Sequence, residues 1–427
     1  MHYDDPFEEE RMEKQGKFSF WEKGPGFKSG MKDLGKHLNG KTITAGVVAA
    51  IFGVTGPCLV TINAATTVGY STEQIISWLF GIYVFGGAIS LIMALYFKQP
   101  IVGAFSIPGA TMMATSLMGF TFNEAAFAFI MAGVIVLILG VTGLISKVMN
   151  YLPLPIVMGM ISGCMLRFGT GIITATVASP LVAGLAVLAY LVVPKIIKKA
   201  PPVLCALVVG VVAAAVTGNI GAVEGGMSYV PPQLVIPKVN VATILSVSVP
   251  LAALVIGAEN AQAIGVLYAQ GYKPPINAMT VISGLGGIAS GLVGAHNANI
   301  AGPMTAICSS EEAGENKEGR YAASVVNGIC FIAFGLLGSF TMAFIGMIPS
   351  ELISVLAGLA MINVLLNALQ TSFSGRCRMG AFFALVIGAS GISVLNIGAA
   401  FWALVGGVMI SLITEKSDFD SFIKGQN

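Results

Sequence analysis

One carboxyl group stands well inside a hydrophobic segment of this chain: Glu259, in Val255-Ile-Gly-Ala-Glu-Asn-Ala-Gln-Ala-Ile264. A charged side chain at the centre of a bilayer costs about 2.5–3.5 kcal/mol even on permissive insertion scales, so an intramembrane acid points to an ion or substrate pathway. Asn260 beside it adds an amide that both donates and accepts hydrogen bonds, and the pair suits a site that takes up and releases a proton. A structural acid, protonated and bonded to a neighbouring helix, fits the same two residues. Two short apolar stretches carry prolines where a helix would start, Ser106-Ile-Pro-Gly109 and Asn299-Ile-Ala-Gly-Pro303. Proline in a first turn costs no hydrogen bond, because the N–H groups there have no intrahelical partner. The spacing predicts half-helices that begin near mid-membrane, each directing unpaired N–H groups and the positive end of its dipole inwards. Around Ile107, Gly109 and Gly302, two such ends would form an anion-favouring centre without a basic side chain. Kinked but continuous helices are the alternative, since membranes tolerate proline.

The residues next to these starts extend the candidate site. His296, Asn297 and Asn299 precede the second half-helix. The histidine could donate to a substrate carboxylate, or lie wet and loop-like at the outer mouth of its crossing. Phe105 and Ser106 precede the first half-helix, an aromatic face and a hydroxyl suited to a flat ring bearing a polar group, although Phe also simply fills space. Arg167 either draws anions into the outer vestibule or snorkels to the interface.

These residues need a membrane scaffold, and the composition supplies one. The 427 residues are 56% hydrophobic and 10% charged, with a mean hydropathy of +0.86. That balance excludes an ordinary soluble domain and predicts an all-α polytopic protein in a lipid bilayer. No hydrolase, kinase or metal motif is present, so neither an enzyme nor a cofactor is expected. No basic patch with interleaved aromatics points to nucleic acid. The six cysteines, Cys58, Cys164, Cys205, Cys308, Cys330 and Cys377, lack metal-ligand spacing and read as small apolar residues.

Apolar segments of roughly 20 residues fall at 42–64, 74–96, 125–146, 153–173, 180–197, 202–219, 243–268, 276–294, 321–347, 350–369, 377–394 and 396–414. Adding the interrupted stretches 101–118 and 296–310 makes fourteen crossings. With a cytoplasmic amino terminus, the inside loops then carry Lys98, Lys147, Lys195, Lys198, Lys199, Lys273, Lys317, Arg320, Arg376 and Arg378, and the outside loops only Lys238. The positive-inside rule thus favours counting both short stretches, which places both termini in the cytoplasm. The expected organisation is a cytoplasmic extension (1–41), a first half (42–219), a connecting loop (220–242), a second half (243–414) and a tail (415–427).

The halves echo one another. Ile51-Phe-Gly-Val-Thr-Gly56 resembles Val255-Ile-Gly-Ala-Glu-Asn260, which sets Thr55 opposite Glu259, either lining the same cavity or packing with small neighbours. Ser106–Ser116 likewise resembles Ala301–Ser310. Seven crossings per half, an odd number, makes the second half inverted. Inverted repeats with interrupted segments in matching positions mark a secondary transporter with a midplane site.

Longer motifs are shared with a known family. Phe52-Gly-Val-Thr-Gly-Pro57, Gln99-Pro-Ile-Val-Gly-Ala-Phe-Ser-Ile-Pro-Gly109, Leu166-Arg-Phe-Gly169 and Ile397-Gly-Ala-Ala-Phe-Trp402 resemble the benzoate membrane transporter (BenE-type) family, with similarity from about Thr42 to Ser411. That resemblance implies proton-coupled uptake of benzoate or a similar aromatic carboxylate, across the bacterial inner membrane and driven by the proton gradient. It also implies kinship with nucleobase–ascorbate and sulfate permeases, whose seven-plus-seven fold has a core domain moving against a gate domain and forms homodimers. In nucleobase carriers an Ala-Glu-His stretch supplies a substrate-contacting acid, and Ala258-Glu259-Asn260 falls on it. The benzoate-type pattern usually has Gln there, so an acid facing an anionic ligand would need to be protonated when that ligand binds. A nucleobase-type proton symporter and an uncoupled anion channel or exchanger are the alternative functions.

Overall fold

The computed structural model describes residues 20–144, 153–197, 202–221, 229–395 and 397–418. Part of the extension expected to be cytoplasmic, part of the expected connecting loop, the end of the tail, and Lys147, Lys198 and Lys199 lie outside the described residues.

Helices dominate, as the hydropathy requires. Seven are long and apolar enough to cross a membrane among the described residues: Gly40–Thr67, Thr72–Phe97, Phe122–Thr142, Leu154–Ala178, Val241–Tyr268, Lys317–Leu336 and Ser350–Phe373. Five more apolar helices are shorter, Val182–Ile196, Pro202–Val216, Ile276–Gly291, Arg378–Ser390 and Ala399–Thr414. Hydropathy alone overstates their length, because apolar residues continue past the helix ends. Ser393–Val394, for example, pairs with Ile397–Gly398 as a small hairpin between two of the expected crossings. Similarly, the segment expected at 321–347 is two helices, Tyr321–Leu336 and Gly338–Gly346.

Close helix crossings rest on glycine. A Cβ at Gly133 would stand 2.5 Å from the Ile288 nitrogen, and one at Gly284 would stand 2.5 Å from the Leu137 nitrogen. The backbones of Phe122–Thr142 and Ile276–Gly291 therefore meet almost directly, which is how membrane helices gain packing without a solvent-driven term.

Both interrupted stretches are an extended segment followed by a half-helix. Strand β1 (Gly103–Phe105) pairs antiparallel with β2 (Ala298–Ile300), with Ala104 opposite Asn299. The Ala301 N–H donates to the Val102 carbonyl at 2.9 Å, and the Val102 N–H donates to the Thr305 hydroxyl at 3.1 Å. Each stretch thus satisfies the other's backbone, the condition for non-helical chain at membrane depth. The strands lead into half-helices Ile107–Ser116 and Gly302–Ser309, with Pro108 and Pro303 in their first turns. The alternative of continuous kinked helices is thereby excluded.

The long crossings also depart from regular helix where the repeat aligned them. Gly40–Thr67 breaks at Thr55, which has φ −92° and ψ −89°. Val241–Tyr268 loosens into a π-helical turn over Val255–Asn260. Such wide turns often mark functional positions, because they re-aim a side chain off the helical repeat. Here that side chain is Glu259.

Outside the membrane body, helix Phe27–His37 lies against Gly86–Phe97. Lys98 Nζ donates to Asp33 Oδ2 at 2.7 Å, and the hydrogen bond from Lys98 holds the Asp33 carboxyl below its ordinary value. The carboxylate of Glu22 accepts from the Asn277 and Ala278 N–H groups, each at 2.8 Å, capping the start of Ile276–Gly291.

Candidate functional site

The two half-helix starts converge on one carboxyl group. The Ile107 N–H donates to Glu259 Oε1 at 3.3 Å, and the Gly302 N–H donates to Glu259 Oε2 at 3.4 Å. Glu259 is 3% exposed. The anion-favouring centre expected from the prolines therefore exists, and its occupant is a side chain of the protein itself. A carboxylate suits this place because it meets orphaned N–H groups and the positive ends of two helix dipoles at once.

The two helix ends are not equivalent. Ser106 caps the first, its hydroxyl accepting from the Gly109 N–H at 3.0 Å. Ala301, in the corresponding place before the second, makes no side-chain cap. The second half-helix is also crowded at its start. A Cβ at Gly302 would stand 2.5 Å from Gln262 Oε1 and 2.7 Å from its Cβ, so only glycine brings this N–H to Glu259 without displacing Gln262.

Glu259 forms part of the wall of a cavity of about 710 Å³, open on one side. That volume is within the roughly 300–1,000 Å³ usual for small-molecule sites. Ile107, Pro108 and Pro303 bring the half-helix starts to it, and Phe52, Leu154, Met158 and Ile161 supply apolar surface. Helix Ser350–Phe373 contributes Asn363, Asn367, Gln370 and Thr371 to the same cavity. Sequence reasoning missed this polar row. The signal was there in Asn363-Val-Leu-Leu-Asn-Ala-Leu-Gln370, whose polar residues recur at i, i+4 and i+7 on one face of an otherwise apolar helix.

Of the residues singled out from the sequence, Glu259 and Ile107 line the cavity, and Ser106, Gly109 and Gly302 shape the helix ends behind it. The others stand elsewhere. Phe105 is fully buried, packed edge-on against Tyr83 and His296 rather than facing a ligand. Thr55 lies off the cavity, its hydroxyl donating to the Ile51 carbonyl at 2.7 Å, while Phe52 takes the cavity position. The Asn260 side-chain oxygen Oδ1 accepts from the Ser283 hydroxyl at 3.1 Å, and Asn260 does not line the cavity. Asn297 and Asn299 are buried beside and within β2. Arg167 lies over the Phe168 ring at 5.1 Å and does not line the cavity.

His296 is neither wet nor at a mouth. It is fully buried, with the Trp78 indole N–H donating to its Nδ1 at 2.7 Å and its Nε2 2.9 Å from the Ser106 carbonyl. An indole nitrogen only donates and a carbonyl only accepts. Nδ1 must therefore be bare and Nε2 protonated, which fixes one neutral tautomer. Trp78, His296 and Ser106 form a chain that holds the first half-helix cap in place behind Glu259.

Comparison with known proteins agrees with this architecture. The chain matches the family described as benzoate membrane transport protein over residues 36–413. It is 30% identical over 383 residues to an inner membrane protein, YdcO, of Escherichia coli K12, covering 88% of this chain and 98% of that protein. It is 26% identical over 390 residues to a benzoate membrane transport protein of Acinetobacter baylyi, covering 90% and 98%. Among solved structures, the transmembrane domain of a cyanobacterial bicarbonate transporter, BicA, superposes with a TM-score of 0.55 at 17% identity, covering 87% of this chain and 96% of that one. The murine anion transporter Slc26a9 in its inward-facing state gives 0.57 at 13% identity, covering 91% and 70%. These structural likenesses concern the fold.

Proposed function

This chain belongs to the benzoate membrane transport protein family, and we propose that it is a proton symporter of a small aromatic carboxylate in which Glu259 is a tethered stand-in for the substrate's anion. One observation carries the reading: a single carboxyl accepts from the first N–H of both half-helices. While Glu259 is ionised, the place that best stabilises a negative charge is filled. Protonation discharges it and frees both N–H groups for another carboxylate. Proton and substrate then enter together by competition for one pair of donors. The apolar surfaces of Phe52, Leu154, Met158 and Ile161 take the ring.

Alternating access would proceed by movement of one set of helices against the other. The cavity lies between the half-helices and the pair Leu154–Ala178 and Ser350–Phe373, a division that matches the core and gate of the proposed seven-plus-seven inverted fold. With both termini in the cytoplasm, Gln370 and Thr371 stand towards the inner end of their helix, so the cavity opens inwards. A homodimer is the assembly that the kin families imply.

Counterflow into proteoliposomes against a panel of aromatic carboxylates and nucleobases tests this function. We expect exchange of carboxylates and accumulation driven by an imposed pH gradient. Exchange of uracil or xanthine with no effect of any carboxylate would replace it by the nucleobase reading, in which ionised Glu259 bonds a neutral ring. Non-saturating flux without coupling would replace it by a channel.

A further inference from the structure

The polar row on helix Ser350–Phe373 has no role in holding a benzoate ring. Asn363, Asn367 and Gln370 are exposed to the cavity, and no hydrogen bond ties their amides to another described residue. Amides in a membrane helix are costly in lipid and lose their water when a ligand seals the cavity, so an apolar ring laid against them would leave donors and acceptors unpaired. Successive members lie four and three residues apart, which sets all three on one face of the helix.

We infer that this row selects substrates carrying, besides the carboxylate, an uncharged hydrogen-bonding group on the ring, a hydroxyl or a ring nitrogen. An amide offers one acceptor and two donors and no charge, so it pairs with a hydroxyl in either direction or donates to a ring nitrogen. A second carboxylate or an amine on the ring would instead call for a charged partner, and among the cavity's lining residues only Glu259 is ionisable. The inference rests on the proposed function, since it takes the carboxylate to sit at the half-helix ends. Phe52 and Met158 are among the apolar residues that line the same cavity.

The test is competition by unlabelled benzoate, 4-hydroxybenzoate and pyridine-3-carboxylate against counterflow of labelled benzoate, in the unmodified protein and in Asn363→Leu, Asn367→Leu and Gln370→Leu. The unmodified protein should favour at least one of the two polar-ring compounds over benzoate by about tenfold, the worth of one net hydrogen bond. At least one leucine variant should bring that preference below about threefold, by weakening the polar-ring compound or by strengthening benzoate, which no longer leaves that amide unpaired. Benzoate counterflow doubles as the check on folding. Where a leucine variant fails it, the serine variant of the same position is used. Equal competition by all three compounds in the unmodified protein overturns the inference and leaves the transport reading standing, as does a preference unchanged in every variant. No competition by any carboxylate overturns the transport reading and the inference with it.

Discussion

Replacing Glu259 by glutamine separates the two things its carboxylate does. Glutamine keeps the size but has one acceptor oxygen and an NH₂ where the second oxygen stood. It can satisfy the Ile107 N–H or the Gly302 N–H, not both, and it sets an amide donor against the other. The present bonds are 3.3 and 3.4 Å long, beyond the usual 2.7–3.2 Å, so each is weak for a charge-assisted contact. One buried N–H left unpaired costs about 1–3 kcal/mol, and the charge lost from two helix starts adds about 0.3–1 kcal/mol at each. Glu259→Gln should therefore lower the unfolding temperature in detergent without abolishing the fold. Its effect on transport should be different in kind. In the unmodified protein the apparent affinity for a carboxylate should fall by up to about tenfold per pH unit once Glu259 ionises, the limit for one linked proton. In Glu259→Gln that slope should be flat, counterflow should persist, and accumulation driven by a pH gradient should vanish. Retention of gradient-driven accumulation by this variant, or an equal pH slope in both proteins, would refute the reasoning.

Further substitutions probe the supports around this centre and the packing of the helix outside the membrane body. Gly302→Ala drives a methyl into Gln262 and should cut gradient-driven uptake at least tenfold in initial rate, whereas Gly265→Ala, with nothing within 4 Å of its added carbon, should match the unmodified protein. Trp78→Phe leaves His296 Nδ1 without its donor and should cost about 1–3 kcal/mol in denaturant unfolding. If the histidine acts by orienting Ser106, His296→Gln should retain more transport than His296→Leu. Asp33→Asn removes the acceptor of the Lys98 bond. That bond holds the Asp33 carboxyl below its ordinary value of 3.8, so its stabilisation is present above that value and lost as pH falls through the depressed one. The variant should loosen Phe27–His37, read as faster amide exchange, at pH 7, and the difference should shrink as the pH is taken below 3.8.

Much of the centre was legible because it follows from local chemistry. Pro108 and Pro303 cost no hydrogen bond at helix starts, and that pointed to the half-helices. Glu259 announced itself by cost. What could not be read was which partner each group would choose. The anion-favouring ends were visible, yet their occupation by Glu259 depends on a π-helical turn that turns its side chain towards both. His296 looked like a mouth residue because its partner, Trp78, is 218 residues away in sequence. Phe105 looked like a ring platform, but Tyr83 and His296 close over it. Asn363, Asn367 and Gln370 were passed over because hydropathy averages a polar stripe into its apolar helix, whereas a count by helical face would have found it.

Proton uptake on substrate binding is the most direct test of Glu259 as a tethered anion. The purified protein, in weak buffer with a pH indicator and on the alkaline side of the Glu259 titration, would receive an aromatic carboxylate that the counterflow panel had identified. Displacement of an ionised Glu259 from both half-helices predicts uptake approaching one proton per molecule bound, falling to none in Glu259→Gln. Carboxylate binding with no proton uptake, or with the same uptake in both proteins, would contradict it.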